Sequence, residues 1–99
     1  MMNMELEEIR RKLVELKPIL KEKFKVKTIG LFGSYIRGRE KEKSDLDILV
    51  EFEEPISLLK FIALENYLSD SIGVKVDLVE KSALKPRIGK HILKEVVNI

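Results

Sequence analysis

The chain contains no cysteine, which excludes disulfides and thiolate metal sites and is compatible with a reducing cytosol. Long apolar runs are absent too: none approaches the roughly 20 residues needed to cross a bilayer. Residues 1–12 are highly charged and lack the apolar centre of a secretory signal. A soluble, cytoplasmic protein with no membrane partner is the expectation. Charge of one sign is equally scarce. The 19 basic and 17 acidic side chains leave a net charge of +2, which argues against a protein that coats nucleic acid through a large positive excess. Glutamine is missing altogether, and Lys and Glu dominate a charged fraction of 36%, a composition that fits a thermophile.

What is present suffices for one small domain. The 99 residues are 44% hydrophobic, near the lower end of what sustains a core without covalent staples. Neither an internal repeat nor a long linker divides the chain, so residues 1–99 read as a single domain. Leu6, Ile9, Leu13, Leu16 and Leu20 recur every three or four positions and predict an amphipathic helix. Pro18 is expected to kink or break it, since proline cannot donate the i→i−4 bond. A short strand is expected over residues 26–32, then a helical turn from Ser34 to about Gly38 and a charged loop over 39–44. A second strand follows over 45–52, with Leu46, Ile48, Val50 and Phe52 on one face. Ser57 is the expected N-cap of a helix ending near Ile72, with Leu58, Phe61, Ile62, Leu68 and Ile72 inward and Gly73 beyond its end. A third strand over 74–79, a helix over 82–96 beginning near Pro86, and a terminal strand over 96–99 complete the chain. This alternation predicts an α/β (α+β) domain, a small sheet with helices packed mainly on one face.

Asp45 and Asp47 sit two apart on a strand, so their carboxylates share a face about 7 Å apart along it. Asp77 interrupts an otherwise apolar run, Val76 to Val79, in the next strand. If those strands are neighbours, three acids converge. Two carboxylates about 4 Å apart repel by roughly 4 kcal/mol at an effective dielectric of 20, so such a set calls for a cation. Oxygen-only donors suit Mg²⁺ or Mn²⁺ rather than zinc. Two such ions can bracket a phosphorus in transit. Gly33-Ser34 follows a strand and opens a helical turn, where free N–H groups favour an anion. Arg37 lies within reach of a phosphate there; Arg39 belongs more naturally to the solvated loop. His91, the one histidine, has no second ligand at metal spacing. Tyr35 and Tyr67 read as packing residues.

Gly33-Ser34, ten residues, then Asp45-Leu46-Asp47 resembles the signature of the DNA polymerase β-like nucleotidyltransferase superfamily. Chance would produce that spacing in so short a chain only on the order of once in a thousand. The segments LFGSYIRGRE, SDLDILVEF and GVKVDLVE resemble the minimal nucleotidyltransferase (MNT) family, over nearly the whole chain. The resemblance implies the polymerase β-like fold with a small mixed sheet, and a two-Mg²⁺ nucleotidyltransferase. It implies Asp45 and Asp47 as ligands of both metals. Asp77 would ligate the catalytic metal and help deprotonate the attacking hydroxyl, and Gly33 and Ser34 would hold the NTP triphosphate.

About 50 residues follow the Asp pair, and a helix, a strand and a last helix use them up. Little remains for a template or tRNA groove, and no extended basic track offers direct nucleic-acid binding. Acceptor recognition is therefore expected to come from another protein. The MNT resemblance implies a HEPN-domain protein encoded nearby, in many cases an RNase toxin, with this chain as an MntA-like antitoxin transferring AMP from ATP onto a partner hydroxyl. The alternative is a non-catalytic antitoxin that masks its partner by contact alone. A relative that modifies RNA or a small molecule ranks below both, since drug-modifying members carry a second helical domain.

Overall fold

The computed structural model describes residues 6–33 and 45–99. Helix α1 (Leu6–Phe24) leads into strand β1 (Val26–Phe32). Strand β2 (Leu46–Phe52), helix α2 (Leu58–Ile72) and strand β3 (Val76–Glu80) follow. A 3₁₀ turn (Lys81–Ala83), helix α3 (Pro86–Glu95) and strand β4 (Val97–Asn98) finish the chain. The sheet has the order β3-β2-β1-β4. β1 runs antiparallel to β2 and β4, while β2 and β3 are parallel, so the sheet is mixed, as expected. No helix among the described residues is long and apolar enough to cross a membrane.

Pro18 does not break α1, which runs through it. Proline removes one N–H and leaves the Val14 carbonyl without its i+4 donor. Val14 and Pro18 lie on the exposed side of the helix, where water can take that carbonyl. Leu13 and Leu20 are fully buried on either side of the proline and keep both halves docked. The helix ends at Phe24, and Lys25 follows with a φ of 58°, the left-handed role usually left to glycine.

Alternation along the strands separates two faces. Leu46, Ile48 and Val50 of β2, Ile29 and Leu31 of β1, and Val76 and Leu78 of β3 turn to one side. There they meet Ile9, Leu13 and Leu20 of α1 and Leu64, Leu68 and Ile72 of α2. Ser57 caps α2, its side chain accepting from the Lys60 N–H at 3.2 Å, and Gly73 closes it at φ 91°. The expected inward set of α2 is only partly right. Leu68 and Ile72 are buried, but Leu58 is 72% exposed and Ile62 43%. Apolar residues surround the first turns of this helix on most sides, so periodicity alone did not select a face, and Leu64 takes the place given to Ile62.

The last helix starts at Pro86, as expected. Proline is well suited to the first helical position, where no N–H is needed, and residues 81–83 form the separate 3₁₀ turn. At the far end of α3, Val96 rests on β1. A methyl at Gly30 would meet Val96 Cγ2 at 2.5 Å and the Val97 carbonyl at 3.2 Å. Gly30→Ala is therefore expected to push β4 off the sheet edge. The predicted loss is about 1–3 kcal/mol, typical of overpacking, with a drop in Tm of several degrees in a thermal melt; an unchanged melt would contradict this packing.

Candidate active site

Strand parity decides where the acids go. Leu46 and Ile48 are fully buried, so Asp45 and Asp47 project from the opposite face of β2. Val76 and Leu78 are 3% and 5% exposed, so Asp77 projects from that same opposite face of β3. Parallel register places Asp47 directly beside Asp77, and Asp45, just before β2, lies near Lys75. The antiparallel register places Phe32 on the other side of Asp47. Three carboxylates thus share one face at the N-terminal ends of two adjacent parallel strands.

Gly33, directly after β1, comes to the same spot. It has φ 82°, a conformation that costs a residue with a Cβ. The space its side chain would fill is held by the Asp47 carboxylate: an added Cβ would overlap Asp47 Oδ2 and lie 2.9 Å from Asp47 Cγ. Glycine is required here for close approach as well as for backbone conformation. Ser34, Tyr35, Arg37 and Arg39 lie outside the described residues.

Among the described residues, no three carboxylate or imidazole side chains are drawn close enough together to cage an ion. The strand register nevertheless sets Asp47 and Asp77 side by side on one face. Asp45 pairs with Lys75, whose Nζ lies 3.9 Å from Asp45 Oδ2. The Leu46 N–H donates to the Lys75 carbonyl at 2.8 Å, tying the two segments together. Lys75 was not among the sequence-derived candidates. The signal was the alternation in Val74-Lys75-Val76-Asp77, which puts Lys75 on the face of Asp77.

His91 is exposed on α3, in keeping with a surface role. Tyr67 packs its ring 5.7 Å from that of Phe24, the structural role expected of it. Three carboxylates on one face, with Gly33 at positive φ against Asp47, suit phosphate chemistry assisted by a hard cation.

Residues 13–99 match the nucleotidyltransferase domain family. The chain is 57% identical over 94 residues to protein adenylyltransferase MntA of Thermococcus cleftensis, covering 95% of each. A solved structure provisionally named a minimal nucleotidyltransferase superposes with a TM-score of 0.80 at 37% identity, covering 98% of both chains. A Shewanella oneidensis complex, described as a tri-AMPylated HEPN toxin with an MNT antitoxin, shares the fold at TM-score 0.67 and 20% identity, over 91% of this chain and 70% of that one. The chain belongs to the nucleotidyltransferase family, in its minimal form, and is an enzyme of that class.

Proposed function

We propose that this nucleotidyltransferase is a Mg²⁺-dependent protein adenylyltransferase that moves AMP from ATP onto a hydroxyl of a HEPN-domain partner and thereby acts as an antitoxin. The observation that carries this reading is the shared face of Asp45, Asp47 and Asp77 with Gly33 packed against Asp47. Three carboxylates supply only hard oxygen donors, which fit Mg²⁺ or Mn²⁺. When bound, two such ions would neutralise charge on the attacking and leaving oxygens. Asp45 and Asp47 would ligate both, and Asp77 would ligate one and draw the proton from the attacking hydroxyl. The Gly33-Ser34 turn would hold the triphosphate, with Arg37 near its oxygens. A bond forms between the acceptor oxygen and the α-phosphorus, the bond from that phosphorus to the β-bridging oxygen breaks, and pyrophosphate leaves. The Thermococcus relative's name and the AMPylated HEPN toxin in the Shewanella complex support AMP, a protein acceptor and the partner class.

Incubating the chain with α-labelled ATP, Mg²⁺ and the HEPN-domain protein encoded beside it tests this reading. The expected result is label on that protein, a mass gain of whole adenylyl groups, and loss of transfer when the metal is chelated. Failure to label it with any NTP would contradict the proposal.

Lys75 supplies a further test. Lys75 and Asp45 side chains are 80% and 40% exposed, so the pair contributes little to stability. Lys75 does compete with a divalent ion for Asp45. Lys75→Ala is expected to leave the thermal midpoint within about a degree and to lower the Mg²⁺ concentration for half-maximal transfer roughly two- to five-fold. A higher Mg²⁺ requirement would show that the lysine assists the site instead.

One observation favours the second reading, inhibition by contact alone. Leu58, Leu59 and Ile62 are 72%, 79% and 43% exposed on the first turns of α2, an apolar patch of the kind that holds partners. Contact inhibition requires such a surface, whereas AMP transfer requires only transient docking, and variants of Asp45 and Asp47 separate the two.

A further inference from the structure

β3 is an edge strand, and the edge of a sheet normally frays or invites another strand because alternate N–H groups point outward unpaired. Here two of those groups are taken by α2. The Val76 N–H donates to Ser69 Oγ at 3.0 Å, and the Leu78 N–H donates to Glu65 Oε2 at 2.9 Å. Ser69 is itself held, its hydroxyl donating to the Glu65 carbonyl at 3.0 Å. Glu65 and Ser69 are four apart, one turn of α2, and so face the strand from the same side. The two amides they bind are those immediately before and after Asp77.

The Asp77 side chain is exposed, so no core packing aims it. Its position depends on the backbone of β3, held on the inner side by β2 and on the outer side by these two side chains. From this we infer that Glu65 and Ser69 are positioning residues for Asp77: they clamp the strand on both sides of it and keep its carboxylate level with that of Asp47. The inference rests on the reading of Asp77 as a metal ligand. Glu65 Oε2 and Ser69 Oγ both bind amides of β3. Both act through the strand, as groups behind a metal ligand commonly do.

The test uses the full chain carrying Glu65→Ala, Glu65→Gln, Ser69→Ala or Asp77→Asn, with Ile9→Val as a core variant distant in sequence from the clamp. Three quantities are read: amide exchange at Val76 and Leu78, the affinity for Mn²⁺ alone by electron paramagnetic resonance, and the thermal midpoint. Glu65→Ala and Ser69→Ala should speed exchange at the amide each one binds and weaken Mn²⁺ binding about three- to ten-fold. Glu65→Gln keeps an acceptor oxygen and should restore most of both. Ile9→Val should lower the midpoint without moving the Mn²⁺ affinity. If Asp77→Asn weakens Mn²⁺ binding but Glu65→Ala and Ser69→Ala do not, the positioning role is overturned and the metal reading stands. If Asp77→Asn binds Mn²⁺ like the parent, the metal reading falls first and takes this inference with it.

Discussion

Replacing Asp45 and Asp47 together by asparagine is expected to cut Mg²⁺-dependent adenylyl transfer about 10³-fold or more while leaving the complex with the partner intact. The size follows from the several kcal/mol that metal ions contribute to charge stabilisation in phosphoryl chemistry, at about 1.4 kcal/mol per tenfold change in rate. The selectivity follows from where the residues sit. Asparagine matches aspartate in shape, and neither position belongs to the core; the strand is held by Leu46, Ile48 and Val50, all fully buried. The exposed leucines of α2 lie on another element and are untouched. Transfer of label and co-purification with the partner are the two measurements. A double variant that loses transfer yet still fully protects cells from the partner would establish inhibition by contact and remove the catalytic account of the antitoxin.

Gly33→Ala should be nearly as damaging, for a different reason. A φ of 82° is strained for alanine by about 1–2 kcal/mol. The new methyl would also enter the space occupied by the Asp47 carboxylate, within 2.9 Å of its Cγ. Either Asp47 turns away or the turn at residue 33 moves outward, and both separate the acid from the expected phosphate site. Displacements of about 1 Å at a reacting centre can reduce turnover on the order of 10²-fold. We expect kcat/KM for ATP to fall by about that factor, with a Tm lower by several degrees. Steady-state kinetics with a thermal melt would check both. Normal kinetics would mean that the turn and Asp47 do not work together.

The shared face of the three aspartates was legible in the sequence because it depends on period two and little else. Apolar residues at 46, 48 and 50 and at 76 and 78 oblige Asp45, Asp47 and Asp77 onto the opposite face, whatever packs against the sheet. Only the pairing of β2 with β3 had to be assumed, and a parallel connection through α2 supplies it. Caps with local chemistry, Ser57 and Gly73, were legible for the same reason: each depends on neighbours within a turn. Features that depend on three dimensions were not. Periodicity gave α2 more apolar positions than one face can bury, and only the sheet chose Leu64 over Ile62. Pro18 looked like a helix breaker because local propensity carries no knowledge of Leu13 and Leu20 held in the core. Glu65 and Ser69 resemble ordinary polar helix residues until β3 lies beside them. Lys75 becomes a neighbour of Asp45 only through the β2–β3 register.

Asp45, Asp47 and Asp77 beside Gly33 should grip divalent ions in one pocket. Crystals grown with Mn²⁺ and a non-hydrolysable ATP analogue, measured at the manganese edge, test it most directly. Anomalous peaks are expected about 2.1 Å from oxygens of those three carboxylates, with the triphosphate against Gly33. Manganese bound elsewhere, or a nucleotide on the opposite face of the sheet, would contradict it.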